Sequence, residues 1–522
     1  MSIWVLTLIF TPMILATLLY LIDHEWFSYS TFLQQGILLM LLWILTANHM
    51  GDATIIGGWK QGIGIRMTLD ALAVPFLWMS WISCTYAQFY NWEGRKGDHK
   101  YLFLVNFLQG VLYAIFLVSD LFSIFIVIEI AAIIVSILIT YTRDGASVRA
   151  GLYYLLINSI AMVFVLLGVV WIYIQAGTLD IELINQMING HAASDLVILA
   201  VGCLAIGFMV KAAIFPVNGW LPIAHGAAPS EISALLSGLL VKMGVYGLIR
   251  IVAMVPSYML EDFLLYVALL TAITGVVRAM FQKDIKRMLA YHTVSQVGLL
   301  MLGIFSGSSP ALLGGIVHMS NHFLFKSLLF LTAGMISERY GTRTISKIKG
   351  LWQCDKWLSV FLVIGVLHIT GTPFFLGSIS KDLIKKGMDT GLLYWGLQLV
   401  NLGTMVSFMK LLAMLPGPDG SIRNALTSQY VTTGFVALVS VALIPVEWQW
   451  LGQQTKYFSI LSVDGSILFA SELIAAVVFR RFAYPQISLR FQHALIKTAS
   501  FRDETLKMAL VLVVVWVASI WL

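Results

Sequence analysis

The chain has 522 residues, of which 59% are hydrophobic and 11% are charged, and its mean hydropathy is +0.88. Soluble globular proteins carry about 25% charged residues, so this composition excludes a water-soluble protein and predicts that lipid surrounds most of the chain. The formal net charge of +6 comes mainly from short connectors, and no basic stretch interleaves with aromatic residues. We therefore expect an all-α polytopic membrane protein that binds no nucleic acid.

Apolar stretches recur along the whole chain. A membrane-spanning helix needs roughly 20 apolar residues, and on that basis we predict about 14–16 transmembrane helices. The first stretch has no basic residues before it and no clear cleavage site, so we interpret it as a span and not as a removed signal peptide. The stretches lie approximately at 2–22, 32–50, 69–90, 101–118, 120–140, 151–176, 195–214, 230–254, 262–281, 288–305, 311–335, 357–374, 392–415, 430–446, 457–479 and 505–522.

The charges of the connectors predict the orientation in the membrane. Connectors after odd-numbered spans hold lysines and arginines, whereas those after even-numbered spans hold mostly acids, such as Asp180 and Glu182. Lys60 and Arg66 are the main exceptions. Because basic loops stay in the cytoplasm, we expect a multi-pass protein of the inner (plasma) membrane with its N-terminus outside.

Two of the predicted spans contain a proline near a polar residue. FMVKAAIFPVNGWLP has Lys211 five residues before Pro216, and VLHITGTPFFLGSISKDL has His368 five residues before Pro373. A proline at membrane depth removes a backbone hydrogen bond, which is tolerated only beside protein or a water-filled cavity. Paired interrupted helices indicate an internal repeat around a transport site. The odd number of spans between them predicts that the two repeats are inverted relative to each other.

Several ionisable residues lie inside apolar stretches, where each charge costs roughly 2.5–3.5 kcal/mol on insertion scales. Glu129, Lys211 and Lys242 are the first of these along the chain. A purely structural ion pair is the alternative, but buried pairs can often be replaced by apolar residues without loss of stability. We therefore predict that these residues carry protons and that Glu129 lies close to Lys211 near mid-membrane.

A second group of polar residues follows at helical spacing. His318, His322 and Lys326 are four residues apart, so they share one helical face. Imidazoles one turn apart suit a proton pathway, since each nitrogen can donate or accept; a helix-to-helix hydrogen bond is the alternative. Together with Lys381, which follows the second break, these residues should continue the band of Lys211 and Lys242. Secondary candidates, which could instead be interfacial or packing residues, are His225, His292, His368 and Lys410.

No cofactor is expected. Cys84, Cys203 and Cys354 form no CxxC pair, and the chain has no GxGxxG or Walker sequence. No carboxylate shares the face of His318 and His322, so we expect no metal site. The chain therefore has no predicted catalytic site of its own, although it could still be a membrane subunit of a redox enzyme.

Four segments resemble a known family. FMVKAAIFPVNGWLPIAHGAAPSEISALLSGLLVKMGVYGLIRI, DIKRMLAYHTVSQVGLLMLG, NHFLFKSLLFLTAG and GSISKDLI are similar to the antiporter-like subunits of respiratory complex I, membrane-bound hydrogenases and Mrp-type sodium/proton antiporters. The resemblance covers approximately residues 100–415. Within the family, the D-type component of Mrp antiporters is the most similar, since a lysine stands at position 381.

The resemblance implies two inverted five-helix repeats, each forming a proton half-channel with a broken helix. It gives N-terminal helices at 1–100, repeats at 101–254 and 255–415, and C-terminal helices at 416–522. It also implies that Glu129 and Lys211 are a coupled pair and that Lys242 is a connecting lysine. Lys326, His318 and His322 would belong to a central polar axis, and Lys381 would be the outlet lysine.

We therefore expect a proton-translocating subunit of a multisubunit sodium (cation)/proton antiporter, with other membrane subunits as partners. The alternatives are a proton-pumping subunit of a redox complex and the membrane partner of a proton-driven inorganic-carbon uptake system. Adjacent genes for iron–sulfur subunits would favour the first, and an adjacent gene for a zinc protein would favour the second. A lone solute transporter is a further class, which activity of the single chain in liposomes would favour.

Overall fold

A computed structural model describes residues 1–22, 24–188, 195–255, 258–388, 391–418, 423–454, 463–484 and 501–521. These residues are predominantly helical. In the described part of the chain the only sheet is a hairpin of two short strands, β1 (Ala53–Ile55) and β2 (Arg66–Thr68), with Ala53 opposite Thr68. The predicted all-α class is confirmed.

The helices follow one another with short connections. In chain order they are α1 (Ser2–Ile22), α2 (Ser30–Asn48), α3 (Ala73–Phe89), α4 (Trp92–Arg95), α5 (His99–Leu117), α6 (Leu121–Ile139), α7 (Gly145–Ala176), α8 (Ile181–Ile188), α9 (Asp195–Lys211), α10 (Trp220–Ala227), α11 (Ser230–Leu235), α12 (Val241–Met254), α13 (Tyr258–Met280), α14 (Ile285–Ile304), α15 (Ser309–Tyr340), α16 (Leu351–Cys354), α17 (Lys356–Thr370), α18 (Leu376–Lys386), α19 (Leu392–Leu412), α20 (Thr427–Gln454), α21 (Val463–Val478) and α22 (Phe501–Trp521).

Among the described residues, nine helical segments are long and apolar enough to cross a membrane. Others fall short for identifiable reasons. Helices α3 and α9 have 17 residues each, fewer than the roughly 20 of a complete span. Helix α15 has 32 residues, but it carries His318, His322 and Lys326. These polar residues lower the hydropathy of α15, whereas the segments that hold Glu129 and Lys242 still qualify as spans.

The described helices differ from the predicted apolar stretches in three respects. The segment 69–90 begins as a helix only at Ala73, because the residues before it form the turn between β2 and α3. The short helices α10 and α18 follow the two breaks and were not predicted as separate elements. The predicted stretch 457–479 lies partly outside the described residues, which resume at Val463.

Both predicted breaks are present. Helix α9 ends at Lys211, the next turn contains Ala213 with a φ of 52° and a cis Phe215–Pro216 bond, and α10 begins at Trp220. Helix α17 ends at Thr370, and Gly371 and Phe374 have φ values of 75° and 72° before α18 begins. A positive φ is strained for residues other than glycine, so the chain departs from helical geometry at the same place in both spans.

Side chains satisfy the backbone groups that the breaks release. The Phe215 amide donates to Thr271 Oγ1 at 3.0 Å, and the Trp220 indole donates to the Val210 carbonyl at 2.8 Å. At the second break, the Leu376 amide donates to His368 Nδ1 at 3.2 Å. Unpaired backbone groups are costly away from water, so these bonds allow irregular backbone inside the protein.

Helix α15 is the central element. It packs against α14, α17, α18 and α20, as well as against the five-residue π-helical segment Leu236–Leu240 that joins α11 to α12. Close packing also occurs at Gly244, where an added methyl group would lie 2.6 Å from the Phe208 carbonyl and collide with the backbone of Ala212. This glycine lets α12 approach the first break.

Candidate functional site

The Lys242 ammonium is completely buried and makes two hydrogen bonds. Nζ donates to the Ser237 carbonyl at 2.8 Å and lies 2.5 Å from Nδ1 of His322, also completely buried. A π-helical segment shifts the hydrogen-bond register and is frequent at functional sites, and here Ser237 belongs to such a segment. The local backbone irregularity therefore provides an acceptor for a lysine that, among the described residues, makes no hydrogen bond to a carboxylate.

A chain of hydrogen bonds leads from Lys242 to Lys326. Ser237 Oγ is 2.7 Å from Thr293 Oγ1, which donates to the Leu289 carbonyl at 3.1 Å. The same carbonyl accepts a 2.7 Å bond from Lys326 Nζ. Helices α11–α12, α14 and α15 each contribute a part, so the two lysines are linked across three helices without a carboxylate.

His318 extends this polar region toward the second break. Its Nδ1 lies 2.8 Å from Ser380 Oγ, and its Nε2 lies 3.1 Å from Gln296 Oε1. The His318 and His322 rings have centroids 6.2 Å apart. The two imidazoles thus lie along one face of α15, as their spacing predicted, but each is bonded to a different helix.

Lys381 follows Ser380 on α18 and donates to the Ile369 carbonyl at 2.7 Å. That carbonyl belongs to the last turn of α17, so Lys381 bridges the two halves of the broken span. Its side chain is 3% exposed. His368 is completely buried in the same turn and accepts the Leu376 amide through Nδ1, which gives it a role in stabilising the break.

Lys211 and Glu129 are not joined by an ion pair or hydrogen bond. Lys211 Nζ and Glu129 Oε1 are both buried without a hydrogen-bond partner, and Glu129 Oε2 accepts from Ser159 Oγ at 3.3 Å. Lys211 Nζ lies 6.0 Å from the ring centroid of Tyr154. The two side chains therefore make no direct hydrogen bond or ion pair, and their coupling stays a prediction.

The secondary candidates fall into two classes. His225 and His292 are completely buried within the protein, and His225 stacks on Phe330 with centroids 4.6 Å apart. Lys410 donates to the carbonyls of Met280 and Gln282 at 2.6 and 3.0 Å. Lys410 thereby binds the end of α13, a structural role that fits its packing alternative.

Sequence reasoning missed several polar residues of the site. Nothing in the sequence distinguished four of them from other polar residues of helices: Ser237, Thr293, Gln296 and Ser380. Asn321, next to His322, donates to the Leu376 carbonyl and to Glu447 Oε2, both at 3.0 Å. The only signal for Glu447 was a lone acid after Pro445 in an apolar stretch.

Chemically, the site offers lysines and imidazoles bonded to hydroxyls and carbonyls. Such groups can hold and exchange protons, since a neutral lysine or imidazole accepts a proton that its cation can release. In the described part of the chain, no three His, Cys, Asp or Glu side chains come together as metal ligands would.

These features define a class: a polytopic helical membrane protein with buried basic residues between two broken helices. The family model described as NADH:quinone oxidoreductase/Mrp antiporter, transmembrane, matches residues 118–409, more than half of the chain. The chain belongs to this family, as the sequence motifs predicted.

Individual relatives agree with this assignment. The chain is 30% identical over 361 residues to the D component of the Na(+)/H(+) antiporter of Alkalihalophilus pseudofirmus, covering 67% of this chain and 73% of that protein. Its fold is similar to a chain in the structure of the Mrp complex from a Dietzia species, with a TM-score of 0.79 and 21% identity over 94% of this chain and 100% of that one.

A second solved structure is about as similar. It is an archaeal respiratory membrane complex, the membrane-bound sulfane sulfur reductase, with a TM-score of 0.78 and 24% identity over 91% of this chain and 99% of the matched chain. At these identities the two structures establish a shared fold. The relatives are subunits of multisubunit membrane complexes.

Proposed function

We propose that this protein is a proton-translocating subunit of a multisubunit sodium (cation)/proton antiporter. In this account residues 101–254 and 255–415 form two half-channels, and protons pass between them along buried lysines and histidines. The protein lies in the plasma membrane with its N-terminus outside, and other membrane subunits complete the complex. The Alkalihalophilus relative supports the antiporter assignment, because that protein is a component of a Na(+)/H(+) antiporter.

The observation that carries the proposal is the bonding of Lys242. Ionisable side chains inside a membrane pair with one another or with backbone carbonyls and often mark proton relays, and Lys242 is bonded both to a carbonyl and to the imidazole of His322. While Lys242 is charged, His322 Nδ1 must accept, so its imidazole is neutral. A proton moved to His322 leaves a neutral lysine, and the positive charge passes from α12 to α15.

The remaining steps use the same chemistry. Transfer between Lys242 and Lys326 requires a water molecule or a side-chain movement, because both lysines donate to backbone carbonyls, which accept a hydrogen bond but cannot pass on a proton. His318 can receive a proton from His322 through a small ring movement or a water molecule across their 6.2 Å separation. His318 is bonded to Ser380, the residue before Lys381 on α18, and transfer onward to Lys381 requires a water molecule. Lys211 and Glu129 provide the first-repeat charges whose separation drives these transfers.

The test is proton transport by the purified complex in sealed vesicles. Lys242→Met should reduce transport by about 100-fold or more, as expected when an essential proton-transfer group is lost. Lys347→Met, in an exposed basic connector, is the matched control and should leave transport unchanged. Near wild-type transport by an assembled Lys242→Met complex would overturn the proposal.

A second candidate function is supported by the likeness to the sulfane sulfur reductase complex. In that case the same subunit would pump protons in a redox complex. The subunits that co-purify with the chain distinguish the two. Small membrane subunits without redox centres favour the antiporter, and subunits with iron–sulfur clusters favour the redox complex.

A further inference from the structure

A small cavity of about 30 Å³ lies beside Lys381, large enough for a water molecule. Residues of α17, α18, α19 and α21 line it. Its polar side chains are Thr370, Ser378, Lys381, Asp382, Lys385, Asn401 and Glu472. The cavity therefore brings the second broken span into contact with a C-terminal helix.

Asn401 requires a partner inside this cavity. Its side chain is 3% exposed, and its Oδ1 is buried without a hydrogen-bond partner in the protein. Buried polar atoms are paired with protein or with ordered water in the great majority of cases. A water molecule in the cavity satisfies Asn401 and at the same time lies next to the Lys381 side chain.

An ion pair lies at the edge of the same cavity. Lys385 Nζ lies 3.4 Å from Glu472 Oε1, and the two side chains are only 13% and 12% exposed. Lys385 is one helical turn beyond Lys381 on α18, whereas Glu472 comes from α21. Glu472 also lies outside residues 118–409, the part of the chain that the family model matches.

We propose that the Lys385–Glu472 ion pair is a gate that closes a water site next to Lys381, so that helix α21 forms part of the proton outlet. The proposal rests on the proposed function for the direction of transport. The basic connector before Lys356 lies at one membrane face, and α17 and then α18 lead away from it. Lys385 follows Lys381 on α18, so the gate lies nearer the opposite membrane face than Lys381 does.

The charges around the gate explain why it can open. A proton released by Lys381 into the water site can be taken up by Asp382 or Glu472. Protonation neutralises Glu472 and removes its attraction for Lys385. The gate then separates, water reaches the cavity, and loss of the proton from Glu472 restores the pair. A partly buried pair suits this role, because its geometry depends on both charges.

The experiment measures access to the cavity directly. Ser378→Cys places a thiol in the cavity lining, in a Cys354→Ser background in which the remaining Cys84 and Cys203 are buried. The complete purified complex is treated with a small methanethiosulfonate, and the labelling rate is measured by mass spectrometry. Adding Glu472→Gln should make labelling about tenfold faster, which corresponds to about 1.4 kcal/mol in favour of the open gate.

Two controls separate a gate from general loosening. Glu25→Gln breaks the exposed Lys96–Glu25 pair and should not alter labelling of the thiol introduced at position 378. The exchange of charges, Lys385→Glu with Glu472→Lys, should restore slow labelling. An unchanged rate in Glu472→Gln, or a rate in the exchanged pair as fast as in the single variant, would overturn the gate.

Failure of the proposed function gives a different result. If Lys242→Met transports protons normally while Glu472→Gln accelerates labelling, the results support the gate and contradict the proposed pathway of buried lysines and histidines. If Lys242→Met abolishes transport and Glu472→Gln does not change the labelling rate, the results support the pathway of buried lysines and histidines and contradict the gate.

Discussion

Lys242 Nζ lies 2.5 Å from His322 Nδ1, and both side chains are completely buried. The two residues are 80 positions apart and come from different helices, α12 and α15. Lys242, Lys326 and Lys381 are each bonded to a backbone carbonyl, with no carboxylate in hydrogen-bonding contact among the described residues. A carbonyl bond alone also fits a structural role, as at Lys410, but Lys242 differs because it is also bonded to an imidazole.

His322→Gln tests the first step of the pathway. A glutamine oxygen can still accept the Lys242 hydrogen bond, but an amide cannot carry a proton onward. We expect an assembled complex with transport reduced by about 100-fold. Proton uptake into vesicles is the measurement, and unchanged uptake would show that Lys242 transfers its proton elsewhere.

Lys326→Met tests whether Lys326 serves proton transport or the stability of the fold. Lys326 bonds to the Leu289 carbonyl and lies over the Phe330 ring, so methionine fills a similar space without a buried charge. Replacing buried charges by apolar groups is often neutral or stabilising. We expect an unchanged or higher melting temperature together with loss of transport. A melting temperature that falls sharply would indicate a structural role.

Gly244→Ala tests the close approach of α12 to the first break. The added methyl group has no room beside Phe208 and Ala212, and overpacking costs about 1–3 kcal/mol. Thermal unfolding in detergent should show a lower midpoint. Gly36→Ala is the control: it lies on an exposed face of α2 with open space around it, so alanine should stabilise that helix by about 1 kcal/mol or less. Equal midpoints for the two variants would contradict the packing argument.

Cys354 reports the orientation without any substitution. It lies in a basic connector and is partly exposed, whereas Cys84 and Cys203 are buried. The positive-inside rule places this connector in the cytoplasm. In intact cells an impermeant maleimide should therefore leave the chain unlabelled, and permeabilised cells should show labelling. Labelling of intact cells would place the connector outside the cell and the N-terminus in the cytoplasm, the reverse of the predicted orientation.

The sequence was sufficient for the helical class, the family and both broken spans, because apolar runs and interior prolines are local signals. The short helices α10 and α18 were missed, since hydropathy alone does not separate the two halves of a broken span. The partners of Lys242, His318 and Lys385 could not be predicted, because they come from residues distant in sequence. Glu447 and Glu472 lie beyond the segments that resemble the family, so no motif indicated them.

The central claim is that buried lysines relay protons. Proton transport by Lys211→Arg complexes in vesicles tests it most directly. Arginine keeps the positive charge near Glu129 but does not release its proton in a protein. We expect the Lys211→Arg complex to assemble with its partners and to transport no protons, and we expect no transport by Lys211→Ala either. Transport at a near wild-type rate by an assembled Lys211→Arg complex would contradict the relay and leave Lys211 as a structural charge.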